Sequence, residues 1–305
     1  MDETTLRTLL DGALAGEPPI GPVADNALRA GIRLRRRRVL SAAAGIAVAA
    51  AIAIVLPVVT GPLGAPPATR QHPPSVIGLA GPPSITGQTG LLTVPPPDPA
   101  VVKAAGVARA RPSVVKIVGT APSCSRTLEG SGFVFAPQHV LTNAHVVAGV
   151  RGGVTITGRR RLHGTVVLYD PERDIAVLYV PGLHARPLAF ASPPNRGDSA
   201  IVAGYPLNEQ FTAVPARIGG EQSANSPDIY QAHTVTRDIY GIRAVVRPGN
   251  SGGPLLAPSG AVDGMVFAAA VDVGDTGYAL TASEVAADVA TGRAATAQVS
   301  TQGCD

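Results

Sequence analysis

Residues 248–254 read PGNSGGP, with Ser251 in the middle and glycine at 249, 252 and 253. Glycine reaches backbone angles closed to other residues, so the chain can bend sharply here and turn amide N–H groups toward one point. The missing side chains also let a substrate come close to the Ser251 hydroxyl. The amides of Gly249 and Ser251 would then face an oxygen on which negative charge develops, which is the arrangement of an oxyanion hole. The plain alternative is a hairpin turn, but GNSGGP is far more specific than a lone G-x-G or G-x-S-x-G.

Two stretches upstream supply the partners a nucleophilic serine needs. Residues 141–147 read LTNAHVV and place His145 just past an expected strand. A lone histidine is more often structural than catalytic, but none of the other five has a comparable setting. Asp174 opens the run DIAVLYV after the turn DPER. A carboxylate leading into an apolar strand is expected to be half buried. There it can fix the tautomer of a neighbouring imidazole and stabilise the imidazolium. Asp170 is the competing carboxylate and reads as the turn residue.

Around these motifs lie short runs rich in Val, Ile and aromatics, at 114–118, 132–136, 140–143, 154–157, 165–169 and 175–180. The second half continues in the same way at 199–204, 211–218, 241–246, 255–256 and 264–270. Gly, Pro, Asp and Asn punctuate them, a pattern that predicts an all-β sandwich or pair of barrels. One helix is signalled near the end, where Thr281 and Glu284 form T-x-x-E before VAADVA.

In the order His145, Asp174, Ser251, set in TNAHVV, DIAVL and GNSGGP and separated by 29 and 77 positions, the chain resembles the trypsin-like (chymotrypsin-fold) serine proteases. The resemblance covers about 105–290. Within that group, RDIYGIRAVVRPGNSGGPLL, GMVFAAAVD and TGYALTASEV resemble the membrane-anchored acid-resistance proteases of the MarP type. It implies two six-stranded antiparallel β-barrels with a short C-terminal helix and the cleft between the barrels. His145 and Asp174 would fall in the first barrel and Ser251 in the second. His145 would take the Ser251 proton, Ser251 would attack the scissile carbonyl, and Asp174 would orient His145, with no metal or cofactor required. By the same analogy Val245, Val246 and part of 267–270 (Phe267 to Ala270) wall the primary specificity pocket. None of them is acidic, so a neutral, apolar-leaning pocket is expected.

Composition narrows the class and then divides the chain. With 35 Gly and 29 Pro an all-helical bundle is disfavoured, and 45% hydrophobic with 15% charged residues argues against a wholly disordered chain. The net charge of +4 splits into +2 from residues 1–60 and +2 from the remaining 245, so no broad basic face and no nucleic-acid partner is implied. The positive charge concentrates at Arg33 and 35–38, directly before the uncharged 22-residue stretch VLSAAAGIAVAAAIAIVLPVVT at 39–60. About 20 apolar residues cross a ~30 Å hydrocarbon core, so this predicts a transmembrane helix with residues 1–38 cytoplasmic and the rest outside. A cleaved signal peptide is the rival reading and a buried core helix the weakest. Residues 61–100, with eleven Pro and six Gly, read as an extended linker. That leaves 101–305 as the protease domain, acting on protein or peptide substrates of the cell envelope. The MarP-type proteases have several membrane spans, and one is read here.

Two cysteines, Cys124 and Cys304, with no C-x-x-C spacing, exclude a structural zinc site on ligand count. They are either unrelated buried thiols or one long-range disulfide; the family resemblance and an oxidising compartment imply the disulfide. An HtrA-type protease with a PDZ module is disfavoured, because only the 54 residues after Ser251 remain, and they are expected to finish the second barrel. A catalytically silent protease fold serving as a binding or sensor module is the alternative from another class. Zymogen-type relatives carry an Asp before the nucleophile that pairs with a freed N-terminus. This chain has Asn250 there, so its oxyanion hole is expected not to depend on such cleavage.

Overall fold

A computed structural model describes residues 94–158, 160–270 and 274–304. The predicted membrane span 39–60, the segment before it and the linker up to residue 93 lie outside the described residues. Among the described residues no helix is long and apolar enough to cross a membrane.

Two barrels follow one another along the chain. The first contains β1 (Val114–Ala121), β2 (Arg126–Ala136), β3 (His139–Thr142), β4 (Val154–Thr157), β5 (Arg161–Asp170) and β6 (Ile175–Tyr179). Its strands run in the order β1-β2-β3-β6-β5-β4 and close where β4 pairs with β1. The second contains β7 (Ser199–Gly204), β8 (Thr212–Pro227), β9 (Thr234–Arg243), β10 (Pro254–Leu256), β11 (Val262–Ala269) and β12 (Thr276–Thr281). It runs β10-β11-β12-β9-β8-β7 and closes where β10 pairs with β7. Closure removes the unpaired strand edges that an open sheet would expose.

The unbroken apolar runs of β6 and β7 have a common cause. Successive side chains of a strand point to opposite faces. In β6, Ala176 and Leu178 fill the first barrel, while Ile175 and Val177 face the core between the barrels. In β7, Ala200 and Val202 fill the second barrel, and Ile201 and Ala203 face the same shared core. Both faces are buried, so neither strand alternates with polar residues. Phe133, Leu141, Met265, Phe267 and Leu280 join this shared core, which docks one barrel on the other.

Two helices complete the domain. The short α1 (Ala105–Ala110) sends Val107 and Ala110 into the shared core. Gly106 is where it touches the second barrel: a Cβ there would sit 2.1 Å from the Ser259 carbonyl carbon. α2 (Ala282–Gly292) starts where the sequence places it, with Thr281 Oγ1 accepting the Glu284 N–H at 3.0 Å. The Glu284 carboxylate reaches elsewhere, accepting the Asp238 N–H at 3.0 Å. Residues 94–100, at the end of the stretch read as linker, lie along the second barrel. Val94 is buried, and its carbonyl accepts from Arg243 at 3.0 Å.

Candidate active site

Strand pairing brings the first two site residues together. β3 lies antiparallel to β6 with Thr142 opposite Ala176. The chain leaving β3 and the chain entering β6 therefore sit at the same end of the barrel. His145 Nδ1 lies 2.8 Å from Asp174 Oδ2 and 3.0 Å from Oδ1. The His145 backbone N–H also donates to Asp174 Oδ1 at 3.0 Å. A carboxylate only accepts, so the ring proton sits on Nδ1 and Nε2 is the unprotonated nitrogen, the one that can act as a base.

Asp174 is held in an unusual backbone conformation, with φ +61°. Left-handed geometry is uncommon outside glycine, though Asp tolerates it better than most residues. Asn143 Nδ2 donates to the Asp174 carbonyl at 2.8 Å and helps to fix it. The Asp174 side chain is 2% exposed and the His145 side chain 25%, so the carboxylate is shut away while the imidazole keeps one side open. Asp170 Oδ1 instead accepts the N–H groups of Glu172 and Arg173 at 2.9 Å each, the bonding of a turn residue.

The Ser251 segment packs against the chain that leads into His145. A Cβ on Gly252 would lie 2.3 Å from Thr142 Oγ1 and 3.1 Å from the Asn143 nitrogen, two residues before His145. A Cβ on Gly130 would meet both Val146 Cγ2, at 2.6 Å, and the Ser251 carbonyl, at 3.2 Å. The convergence depends on glycine at both places.

Around Ser251 the backbone is bonded at nearly every group. The Pro248 carbonyl accepts from the Leu207 N–H at 2.8 Å, and the Asn250 carbonyl from the Gly253 N–H at 2.9 Å. The Gly249 carbonyl accepts from Ser131 Oγ at 2.6 Å, and the Asn250 N–H donates to the Arg247 carbonyl at 3.0 Å. Two amides are left without a partner among the described residues, those of Gly249 and Ser251. In a trans peptide the N–H points opposite to the C=O. Fixing the Pro248 and Asn250 carbonyls therefore aims the Gly249 and Ser251 N–H groups to the other side, where a substrate oxyanion would sit. Gly249 has φ +92°, and a Cβ there would lie 2.5 Å from the Tyr205 carbonyl.

Ser131 is a contact of the Ser251 loop that the sequence did not reveal. It is fully buried on β2 of the first barrel. Its N–H donates to the Ser251 carbonyl at 2.8 Å, its hydroxyl to Gly249, and its oxygen accepts the Tyr205 N–H at 2.9 Å. Thr142 Oγ1 closes the set by donating to the Ser131 carbonyl at 2.8 Å. A second link runs through residues 206–208. Leu207 and Asn208 both have positive φ, at +54° and +58°. Lys116 Nζ on β1 donates to the Asn208 carbonyl, and Asn208 Nδ2 to Glu129 Oε1, each at 2.5 Å. Burial pushes the Glu129 carboxyl up, and the Lys116 charge opposes that.

Asn250 is buried and serves its own turn, with Oδ1 accepting the Arg247 N–H at 2.9 Å. Of the expected pocket residues, Val245 is exposed and Val246 packs beside Gly277, where a Cβ would lie 2.4 Å from Val246 Cγ2. Phe267 and Ala268 both belong to the shared core, and Ala270 packs against it. Cys124 and Cys304 are joined, with Cα atoms 6.3 Å apart, within the disulfide range.

Comparison with known proteins agrees with this geometry. A profile of the trypsin-like peptidase domain matches residues 130–265. Serine protease Rv3671c of Mycobacterium tuberculosis is 49% identical over 205 residues, covering 67% of this chain and 52% of that protein. The chain thus spans about half the length of the curated relatives it matches. The crystal structure of the Rv3671c protease in its active form superposes with TM-score 0.69 at 48% identity, covering 72% of this chain and 96% of that one. The Do-like serine protease HtrA of Lactococcus lactis is 34% identical over 149 residues, 45% of this chain and 36% of its own. With both barrels, the Ser251 loop and relatives of this identity in agreement, the chain belongs to the trypsin-like serine proteases.

Proposed function

We propose that this chain is a membrane-anchored serine endopeptidase that hydrolyses peptide bonds through His145, Asp174 and Ser251. The observation that carries the reading is the Ser251 loop, where backbone bonds hold both neighbouring carbonyls and leave two N–H groups for an oxyanion. His145 Nε2 takes the Ser251 proton as the hydroxyl oxygen attacks the scissile carbonyl. Asp174 holds the ring and stabilises the imidazolium. The Gly249 and Ser251 amides bind the tetrahedral oxyanion, each such donor contributing about 3 kcal/mol to the transition state. The protonated His145 then delivers its proton to the leaving amine, and water resolves the acyl-enzyme by the same route in reverse.

The neutral side chains of Val245 and Val246, with no acidic residue among 267–270, favour a neutral, apolar-leaning residue before the cut. Asn250 closes its turn through bonds to Arg247 and Gly253 within the same loop, which supports an oxyanion hole that forms without a freed N-terminus. The uncharged stretch 39–60 after an Arg run supports a single anchor with the protease domain outside the membrane.

A fluorophosphonate probe tests the chemistry: it should label Ser251 covalently, and Ser251→Ala should abolish the label. Folded wild-type protein that takes no label would favour a silent binding module instead. Protease added to intact cells should remove the C-terminal domain and spare residues 1–38; a protected domain would reject the topology.

A further inference from the structure

Arg237 is the largest side chain in the described structure that is fully buried, at 1% exposure. It lies on β9 of the second barrel, yet its contacts reach into the first. Nε donates to the Glu172 carbonyl at 3.0 Å, and the second terminal nitrogen donates to that same oxygen. The first terminal nitrogen bonds Ser226 Oγ and the Pro227 carbonyl on β8. Glu172 is two residues before Asp174, in the turn that carries Asp174 into its left-handed conformation. We propose that Arg237 is a positioning residue for Asp174, a clamp from the second barrel that fixes the turn carrying the triad carboxylate. This rests on the triad reading above.

A buried guanidinium is costly unless its donors and its charge are both answered. The donors are answered by carbonyls and a hydroxyl, none of which carries charge. The compensating charge comes from carboxylates farther off. Burial pulls the Arg237 guanidinium down from its ordinary range, and Asp174 leads the charges that oppose this, ahead of Glu284, Asp170 and Asp228. So the cation that secures the Asp174 turn is itself stabilised by Asp174.

The rest of the turn is tied to the same side. The Ile229 N–H donates to the Pro171 carbonyl at 3.3 Å. Arg173 pairs with Glu284 and Asp288 of α2, each at 3.6 Å. Those outer pairs are half exposed and weak. Arg237 is the buried member of the clamp and makes two bonds to one carbonyl oxygen, so it sets the height of the turn relative to His145.

The test compares full-length wild type with Arg237→Met, Arg237→Lys and Ser226→Ala, using kcat and KM on a small ester substrate. It also records thermal unfolding and the low-field proton NMR line of the His145 Nδ1–H. Ser251→Ala serves as control. Arg237→Met is expected to lower kcat at least tenfold with KM within about twofold, because Arg237 acts behind Asp174 and touches no substrate. The low-field line should shift or vanish, and Arg237→Lys should recover part of both. Folded Arg237→Met with unchanged kcat, or with kcat lost while the line stays in place, overturns the proposal. If Arg237→Met does not fold, Ser226→Ala decides, since it removes one acceptor and keeps the charge. A severalfold drop in kcat at unchanged melting temperature supports the clamp, and no drop overturns it. An active Ser251→Ala would instead overturn the triad reading itself, whatever Arg237 does.

Discussion

Replacing Cys124 and Cys304 by serine should destabilise the domain by an amount that the tail contacts limit. The bond spans 180 residues of chain. Closing a loop of that length removes enough unfolded-state entropy to stabilise the native state by about 5 kcal/mol at most. That ceiling applies only if the tail stays docked until the whole domain unfolds. Without the bond, the tail is held chiefly by the Gly149 N–H to the Thr301 carbonyl at 3.0 Å, Thr301 Oγ1 to the Val150 carbonyl at 2.9 Å and the Val299 N–H to the Val166 carbonyl at 2.9 Å, with longer bonds from Tyr230 and Arg151 at 3.2–3.5 Å. At a net ~1 kcal/mol per bond the three shorter ones hold it by roughly 3 kcal/mol. The tail of the double variant therefore opens locally before global unfolding. The expected loss is about 2–4 kcal/mol, or roughly 5–15 °C in melting temperature for a domain of this size. Urea unfolding of both proteins gives the difference, and hydrogen exchange at Gly149 and Val299 reports the local opening. A loss under about 0.5 kcal/mol, or one well above 5 kcal/mol, would show that chain entropy is not the origin of the effect. Unchanged exchange at Gly149 would refute local opening.

Gly249→Ala forces a Cβ into the Tyr205 carbonyl at 2.5 Å and disfavours φ +92°, so it should move the Gly249 N–H and cost about 3 kcal/mol in kcat/KM. An unchanged rate would remove Gly249 from the oxyanion hole. Lys116→Met frees the strained 206–208 turn that holds the Pro248 carbonyl, and kcat should fall roughly 10–100-fold with a small change in KM; steady-state kinetics on an ester decide. Asp174→Ala should lower kcat about 10⁴-fold, while Asp170→Ala should cost stability of about 1 kcal/mol and leave turnover nearly intact. The reverse result would exchange their roles. Asp263 is buried on β11 and its carboxyl is pushed up to about 7 from 3.8, by burial first and the Asp198 charge second. The folded state then holds that proton more tightly than the unfolded chain. Stability should rise as pH falls from above 7 toward 4, by up to about 4 kcal/mol, and be lost as pH rises through 7. Asp263→Asn should flatten urea-unfolding curves across that window; an equally steep dependence in the variant would point to another group.

The elements that were legible in the sequence are those whose chemistry is local. β6 and β7 announce themselves as apolar runs because both faces are buried, and α2 because Thr281 caps it. The outer ends of β8 and β9 were not read, because EQSANSP at 221–227 and TVTRD at 234–238 carry too few apolar residues to show a period. β12 was missed as a strand because TGYALT blends into the helix signal at Thr281. Within the site, His145 and Ser251 stand in motifs specific enough to find. Ser131 and Arg237 act through partners 118 and 65 residues away in sequence, and no local pattern marks such a pairing. Asn143 lay in the quoted TNAHVV, but its bond to the Asp174 carbonyl follows from the β3–β6 register, which only the folded barrel defines.

The division of labour between the barrels has a consequence for a chain still being made. β1 to β6 carry His145 and Asp174, and Ser251 follows only after the first strands of the second barrel. A nascent chain that has folded as far as β6 holds a base with nothing to activate. Even once Ser251 has been synthesised, its loop reaches working shape only when Ser131 of the first barrel is docked against it. On the proposed mechanism, hydrolytic power is thus the last property this molecule acquires, and a half-built or mispaired copy cannot cut its neighbours.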